Sequence, residues 1–249
     1  MKRLTLAAAF ALTTFAGAAF ATDIITMTDT ERDVFRAEVR AYLMENPEVL
    51  LEAIAVLEER EAAEAAVNDA ALLLANADDI YNDGVSYVGG NPDGDITIVE
   101  FSDYRCPYCK RAHPEVTELV ESDGNIRLIY KEFPILGPES LTTAQFAVAT
   151  LMIDGPEAYE KVSAALMELR GDPSDAALTK LAEGFGLNAP ALIEKMKSSE
   201  VTQVIQSNRA LGQSLEISGT PTFILADQLI RGYVPLENMR EMVTAARGE

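Results

Sequence analysis

Apolar residues fall into two regimes along this chain. In the N-terminal part, Phe35, Val39, Tyr42 and Leu43 recur at helical spacing and stop at Asn46-Pro47. Leu50, Leu51, Ile54 and Leu57 then open a second run of the same kind. Residues three and four apart line one face of a helix. An Ala- and Glu-rich stretch carries the second run towards Leu74, and both residues are strong helix formers, so the spacing predicts helix over most of 47–75. The apolar stripe is narrow, with a heptad step from Leu50 to Leu57, and cannot satisfy itself in water. It either pairs with copies of itself or packs loosely on its own domain.

After Asn91-Pro-Asp-Gly94, a turn by composition, the pattern changes. Ile96-Thr-Ile-Val-Glu-Phe101 is rich in β-branched residues and predicts a buried strand. Ser102 to Arg105 make a short turn, and from Pro107 a helix follows with Val116, Leu119 and Val120 on one face. A second strand is predicted over Ile126 to Phe133, ended by Pro134 and the Gly137-Pro138 pair. From Ser140 to about Leu215 the pattern is helical, in segments 142–153, 156–169, 173–185 and from Pro190 onward. Thr222-Phe-Ile-Leu225 and Gln228-Leu-Ile-Arg231 predict a hairpin through Ala226-Asp227, and a last helix runs from near Pro235 to Ala246. This order predicts an α/β, thioredoxin-like fold with a helical insertion at about 140–215, preceded by an N-terminal helical oligomerisation extension.

Residues 1–21 carry the pattern of an export signal. Lys2 and Arg3 form the charged start, Leu4 to Phe20 the apolar stretch and Ala19-Phe20-Ala21 the cleavage site. Thr13, Thr14 and Gly17 interrupt the apolar stretch, so a retained membrane anchor is the weaker option. The expected plan is a signal at 1–21, the helical extension at 22–85 and the thioredoxin-like domain at 86–249. Export implies a compartment where disulfides persist, and a periplasm is expected. Losing Lys2 and Arg3 leaves 18 bases against 40 acids, a net charge of about −22. Such a surface repels nucleic acid and anionic membranes.

Cys106 and Cys109 are the only two cysteines, and they sit two residues apart between the strand and the helix start. The first sulfur lies at a helix N-terminus, where unpaired N–H groups and the dipole favour a thiolate. Pro107 suits the first helical position because its missing N–H would be unpaired there anyway. A structural bridge across so small a loop removes little chain entropy and stabilises weakly. Zinc wants about four ligands, and only two cysteines, the lone His113 and carboxylates are on offer. His113, just before Pro114, reads as a surface or capping residue. Redox chemistry is the expectation, with no cofactor beyond the cysteine pair itself.

Three segments carry a resemblance to the DsbA family of periplasmic thiol–disulfide oxidoreductases, and within it to the ScsC-type branch. Val99 to Lys110 resembles the family's strand and active-site helix. Gly219-Thr-Pro-Thr-Phe223 resembles the loop in which a cis-proline faces the cysteines. Ala37 to Glu59 resembles the N-terminal extension of the ScsC type. The resemblance implies that Cys106 attacks and that Cys109, a turn inside the helix, resolves the mixed disulfide. It implies that Pro221 approaches the sulfurs without offering a donor, leaving the Thr220 backbone to pair with a substrate strand. Glu100 resembles the buried acid that relays a proton near the disulfide; a partly exposed glutamate at the strand end is the alternative. Tyr108 stands where DsbA has a histidine and carries no positive charge, so a less oxidising pair, suited to reduction or isomerisation, is implied; DsbA-like oxidation stays open. The implied partners are exported proteins with cysteines, a membrane redox partner and copies of this chain, as a trimer or a dimer. Two thiolates also suffice for Cu(I), so copper handling by Cys106 and Cys109 is the competing reading.

Overall fold

A computed structural model describes residues 27–248. The expected export signal at 1–21 lies outside the described residues. The chain divides into two compact units, one ending at Arg60 and the other running from Glu61.

The first unit is helical. Helix α1 (Asp29–Glu45) begins at a reciprocal cap in which Thr28 accepts from the Glu31 N–H and the Glu31 carboxylate accepts from the Thr28 N–H at 2.8 Å. It stops at Asn46, before Pro47, and α2 (Glu48–Ala75) follows. No residue of α1 is buried, and Phe35, Val39, Tyr42, Leu50, Leu51, Ile54 and Leu57 are all exposed. The last turns of α2 belong to the second unit. There Leu73 is buried beside Ile80 of the short helix α3 (Ala77–Tyr81).

The second unit is built on a five-stranded sheet. Its strands are β1 (Tyr87–Gly90), β2 (Ile96–Ser102), β3 (Ile126–Glu132), β4 (Thr222–Leu225) and β5 (Gln228–Arg231), in the order β1-β3-β2-β4-β5. β2 and β3 run parallel, joined through α4 (Pro107–Asp123), while the remaining pairs are antiparallel. Side chains alternate between the two faces of a strand. Val99, Phe101, Ile129 and Ile224 therefore meet Leu73, Ile80, Leu211 and Leu215 on one face. Ile96, Ile98, Ile126, Phe223 and Leu225 meet Val116 and Leu119 of α4, and Met239 and Val243, on the other. Each fully buried aliphatic or aromatic side chain stabilises the fold by roughly 1.5–3 kcal/mol. Lys131, fully buried on β3, pairs with Asp83 at 2.7 Å and donates to the Asp79 carbonyl, tying the segment after α3 to the sheet.

The helical insertion comprises α5 (Pro138–Asp154), α6 (Pro156–Glu168), α7 (Asp175–Gly184), α8 (Ala189–Lys195) and α9 (Ser199–Ser214); α10 (Leu236–Arg247) closes the chain. The helix expected from Pro190 onward is in fact two, because Ser198 caps a new start by accepting from the Val201 N–H. The helix expected from Thr142 starts four residues earlier, with Pro138 in its first turn. Strand β1 was not anticipated. Its Tyr-Val-Gly-Gly sequence carries too little alternation to declare a strand, and pairing with β3 supplies the order.

Candidate active site

The central strand β2 delivers the site. Glu100 faces the same side as Ile96 and Ile98, towards α4, and pairs in register with Tyr130 on one neighbour and Phe223 on the other. Past Ser102 the chain turns, and Asp103 holds the turn. Its carboxylate accepts from the Arg105 N–H at 2.8 Å, and from the Ile135 and Leu136 N–H groups at 2.8 and 3.1 Å. The Asp103 carbonyl accepts from the Cys106 N–H at 3.0 Å. Cys106 is then the N-cap of α4, with Pro107 at the first helical position.

Cys106 and Cys109 both stand as thiols. Cys109 is fully covered and Cys106 is 5 % exposed. The first sulfur is thus the more open of the two, though more covered than a solvent-facing nucleophile was expected to be. Its cover is the opposite loop. The Thr220–Pro221 bond is cis, and the Cys106 thiol donates to the Thr220 carbonyl at 3.2 Å. That carbonyl, expected to await a substrate strand, is already engaged by the thiol. Tyr108 is 60 % exposed, which places it at the rim of the site.

Glu100 is fully buried, so the partly exposed alternative is set aside. Among the described residues, neither of its carboxylate oxygens has a hydrogen-bond partner. Burial pushes its carboxyl up to about 7. Burial also raises the Cys109 thiol, and the charge of Glu100 adds to this. A cavity of about 320 Å³ lies beside Glu100, lined also by Tyr87, His113, Tyr130 and Tyr159. His113 is therefore not a surface or capping residue. It is partly buried on the α4 face turned to this cavity, and burial lowers its pKa.

A second buried acid escaped the sequence reading. Glu132, at the end of β3, accepts from the Tyr104 hydroxyl at 2.7 Å and from the Tyr159 hydroxyl at 2.6 Å. Tyr104 lies two residues before Cys106, and its oxygen is also 3.0 Å from Ser163 Oγ of α6. Burial pushes the Glu132 carboxyl up to about 8. Arg127 and Lys131 share the segment Ile126 to Phe133 with Glu132, so no local signal marks this one charge as the acid buried between two tyrosines. Among the described residues, no group of three or more His, Cys, Asp or Glu side chains is placed to hold a metal ion.

A C-x-x-C pair at a helix start, facing a cis-proline loop at one end of a mixed sheet, defines a thioredoxin-fold dithiol protein. A family model described as "DSBA-like thioredoxin domain" matches residues 97–244, and the chain belongs to that family. A second, "Copper resistance protein ScsC N-terminal domain", matches residues 31–64. Among solved structures, a thioredoxin-like oxidoreductase from Silicibacter pomeroyi is 40% identical; the match covers 69% of this chain and 98% of that one, with a TM-score of 0.63. ScsC of Proteus mirabilis, in a transitional conformation, is 27% identical over 89% of this chain and 99% of that one, with a TM-score of 0.65. The Na(+)/H(+) antiporter NhaA 1 of Salinispora arenicola is 27% identical over 64% of this chain. This chain spans only 24% of that antiporter's length. None of the described helices is long and apolar enough to cross a membrane.

Proposed function

We propose that this protein is a thiol–disulfide oxidoreductase of exported proteins, working as an isomerase or reductase in the periplasm. The observation that carries the reading is the Cys106 sulfur at the start of α4, under the Thr220 carbonyl, with Cys109 and the unpartnered Glu100 behind it. The Cys106 thiolate attacks one sulfur of a substrate disulfide, forming a mixed disulfide and releasing the other sulfur as a thiolate. Cys109 gives its proton to the Glu100 carboxylate and attacks Cys106 Sγ. The mixed disulfide breaks, the second substrate thiolate leaves, and Cys106–Cys109 is oxidised. In isomerisation a different cysteine thiolate of the substrate attacks the substrate sulfur of the mixed disulfide instead, forming a new substrate disulfide and returning Cys106 reduced. The cavity beside Glu100 offers its proton a way out.

Isomerase or reductase is favoured over oxidase because Tyr108 brings no cation between the cysteines, so the oxidised pair loses the advantage that a stabilised thiolate confers. The part of the extension that ends at Arg60 serves oligomerisation, as a trimer by preference, since α1 and the first turns of α2 leave an apolar stripe in water. A membrane redox protein would restore the reduced pair. The test is the equilibrium of Cys106/Cys109 with glutathione, combined with reactivation of scrambled ribonuclease. A potential near that of strong oxidants, without reactivation, would leave an oxidase. Cu(I) carriage by the two thiolates is the second reading, favoured by the copper-resistance description of the domain matched at 31–64. Under that reading, Cu(I) would bind in a one-to-one ratio and block ribonuclease reactivation.

A further inference from the structure

Cations are scarce on this chain, and three of them meet beside the cysteine pair. Lys110, the residue after Cys109, donates from Nζ to the Leu169 carbonyl at 3.0 Å. Arg105, the residue before Cys106, donates from Nη1 to the Gly171 carbonyl at 3.0 Å. Arg170 lies between those two carbonyls in the chain and is exposed. The loop at 169–171 therefore gathers three positive heads, two of them from the residues that flank the cysteine pair in the chain.

Gathering like charges costs free energy. Partial burial lowers the pKa of the Lys110 ammonium, and the charges of Arg105 and Arg170 lower it further. Only Arg105 has a carboxylate partner, Glu139 at 2.7 Å; among the described residues Lys110 and Arg170 have none at ion-pairing distance. Glu168 and Asp172 flank the loop in sequence, but Glu168 acts on His113 and neither is paired with the cluster. Neutral donors such as glutamine would hold the Leu169 and Gly171 carbonyls without this repulsion. An acidic ligand would supply the counter-charge that Lys110 and Arg170 lack.

We propose that Arg105, Lys110 and Arg170 form a cationic rim that recognises acidic polypeptide segments flanking the reactive cysteine of a substrate. This goes beyond the exchange activity proposed above and rests on it. The remaining surface, at a formal net charge of −20 for the whole chain, repels acidic polypeptides at long range. The rim therefore selects for acids close to the substrate sulfur, not for acidic proteins as a class. Tyr108, between the two cysteines, is exposed and offers an aromatic side chain to a bound segment.

The probes are two capped pentapeptides, each used as its symmetric disulfide, with cysteine between two pairs of aspartates or two pairs of lysines. The reduced full-length protein takes up the disulfide bond, and two peptide thiols are released. At ~0.02 M salt, Arg170→Glu is expected to slow exchange with the aspartate peptide about three- to tenfold and to speed exchange with the lysine peptide, both effects fading near ~0.5 M. Lys110→Gln moves both rates in the same directions by a smaller factor. The rim is refuted if each variant changes the two peptides' rates by the same factor, or if salt affects them alike. Failure of the parent protein to exchange with either peptide would instead overturn the oxidoreductase reading, and the rim with it.

Discussion

The Tyr159 hydroxyl donates to the buried Glu132 carboxylate at 2.6 Å, and so fastens the helical insertion to the end of β3. Tyr104 does the same from the active-site loop at 2.7 Å. The acid that receives both has its carboxyl raised from 4.5 to about 8 by burial. Between these values the folded chain holds a proton that the unfolded chain has released, so stability falls as pH rises and levels off above about 8. Glu100 acts with the same sign between 4.5 and about 7. Glu132→Gln keeps an acceptor for both tyrosines and cannot ionise. Its urea midpoint should fall less than the parent's between pH 5 and 9, and at pH 9 it should be the more stable by on the order of 2 kcal/mol. Parallel curves for the two proteins would show that Glu132 does not titrate in this range.

Cys106→Ser should abolish disulfide exchange, whereas Cys109→Ser should trap substrates as mixed disulfides on Cys106. Mass spectrometry of adducts from cell extracts distinguishes the two. Equal yields of adduct on Cys109 in the first variant would reverse the assigned roles.

Glu100→Gln removes the base beside Cys109 without adding bulk. The second step of exchange should slow about tenfold or more, so that mixed disulfide accumulates, and the inflection near pH 7 in its rate should disappear. Stopped-flow quenching across pH 5 to 9 measures both. An unchanged pH profile would remove Glu100 from the proton path.

Leu50, Ile54 and Leu57 are each about half exposed, at 51 %, 50 % and 55 %. Replacing all three with glutamate should leave the second unit folded and convert an oligomer, expected as a trimer, into a monomer. Isomerase activity should fall while simple oxidation persists. Light scattering on the parent is the sharper half of the test, since a monomeric mass at micromolar concentration ends the oligomer reading. Truncating to Ala75 would be a poorer experiment, because Leu73 is part of the core of the second unit.

The order of elements could be read from the sequence because each was declared by neighbours a few residues away. Ile96 to Phe101 is a β-branched run, Pro107 marks a helix start, and Ala226-Asp227 closes a hairpin between two apolar segments. The cysteine pair was equally local, since its spacing and its place at a helix start lie within one turn of chain. Thr220-Pro221 became visible through a motif, and its meeting with Cys106, 114 residues earlier in the chain, was supplied by resemblance.

What the tertiary structure decided depends on burial, which no local pattern carries. Glu100 could have been a half-exposed strand residue; placing β2 between β3 and β4 under α4 is what strips its carboxyl of partners and raises it. His113 reads as a surface residue until α4 turns it to a cavity shared with Glu100. Glu132, Tyr104 and Tyr159 lie on a strand, a loop and an inserted helix, and only the packed chain brings their oxygens within hydrogen-bonding distance. Residue types and their spacing determine which chemistry is available, because those are local properties. Which protons are held, and where, is settled by desolvation among residues distant in the chain.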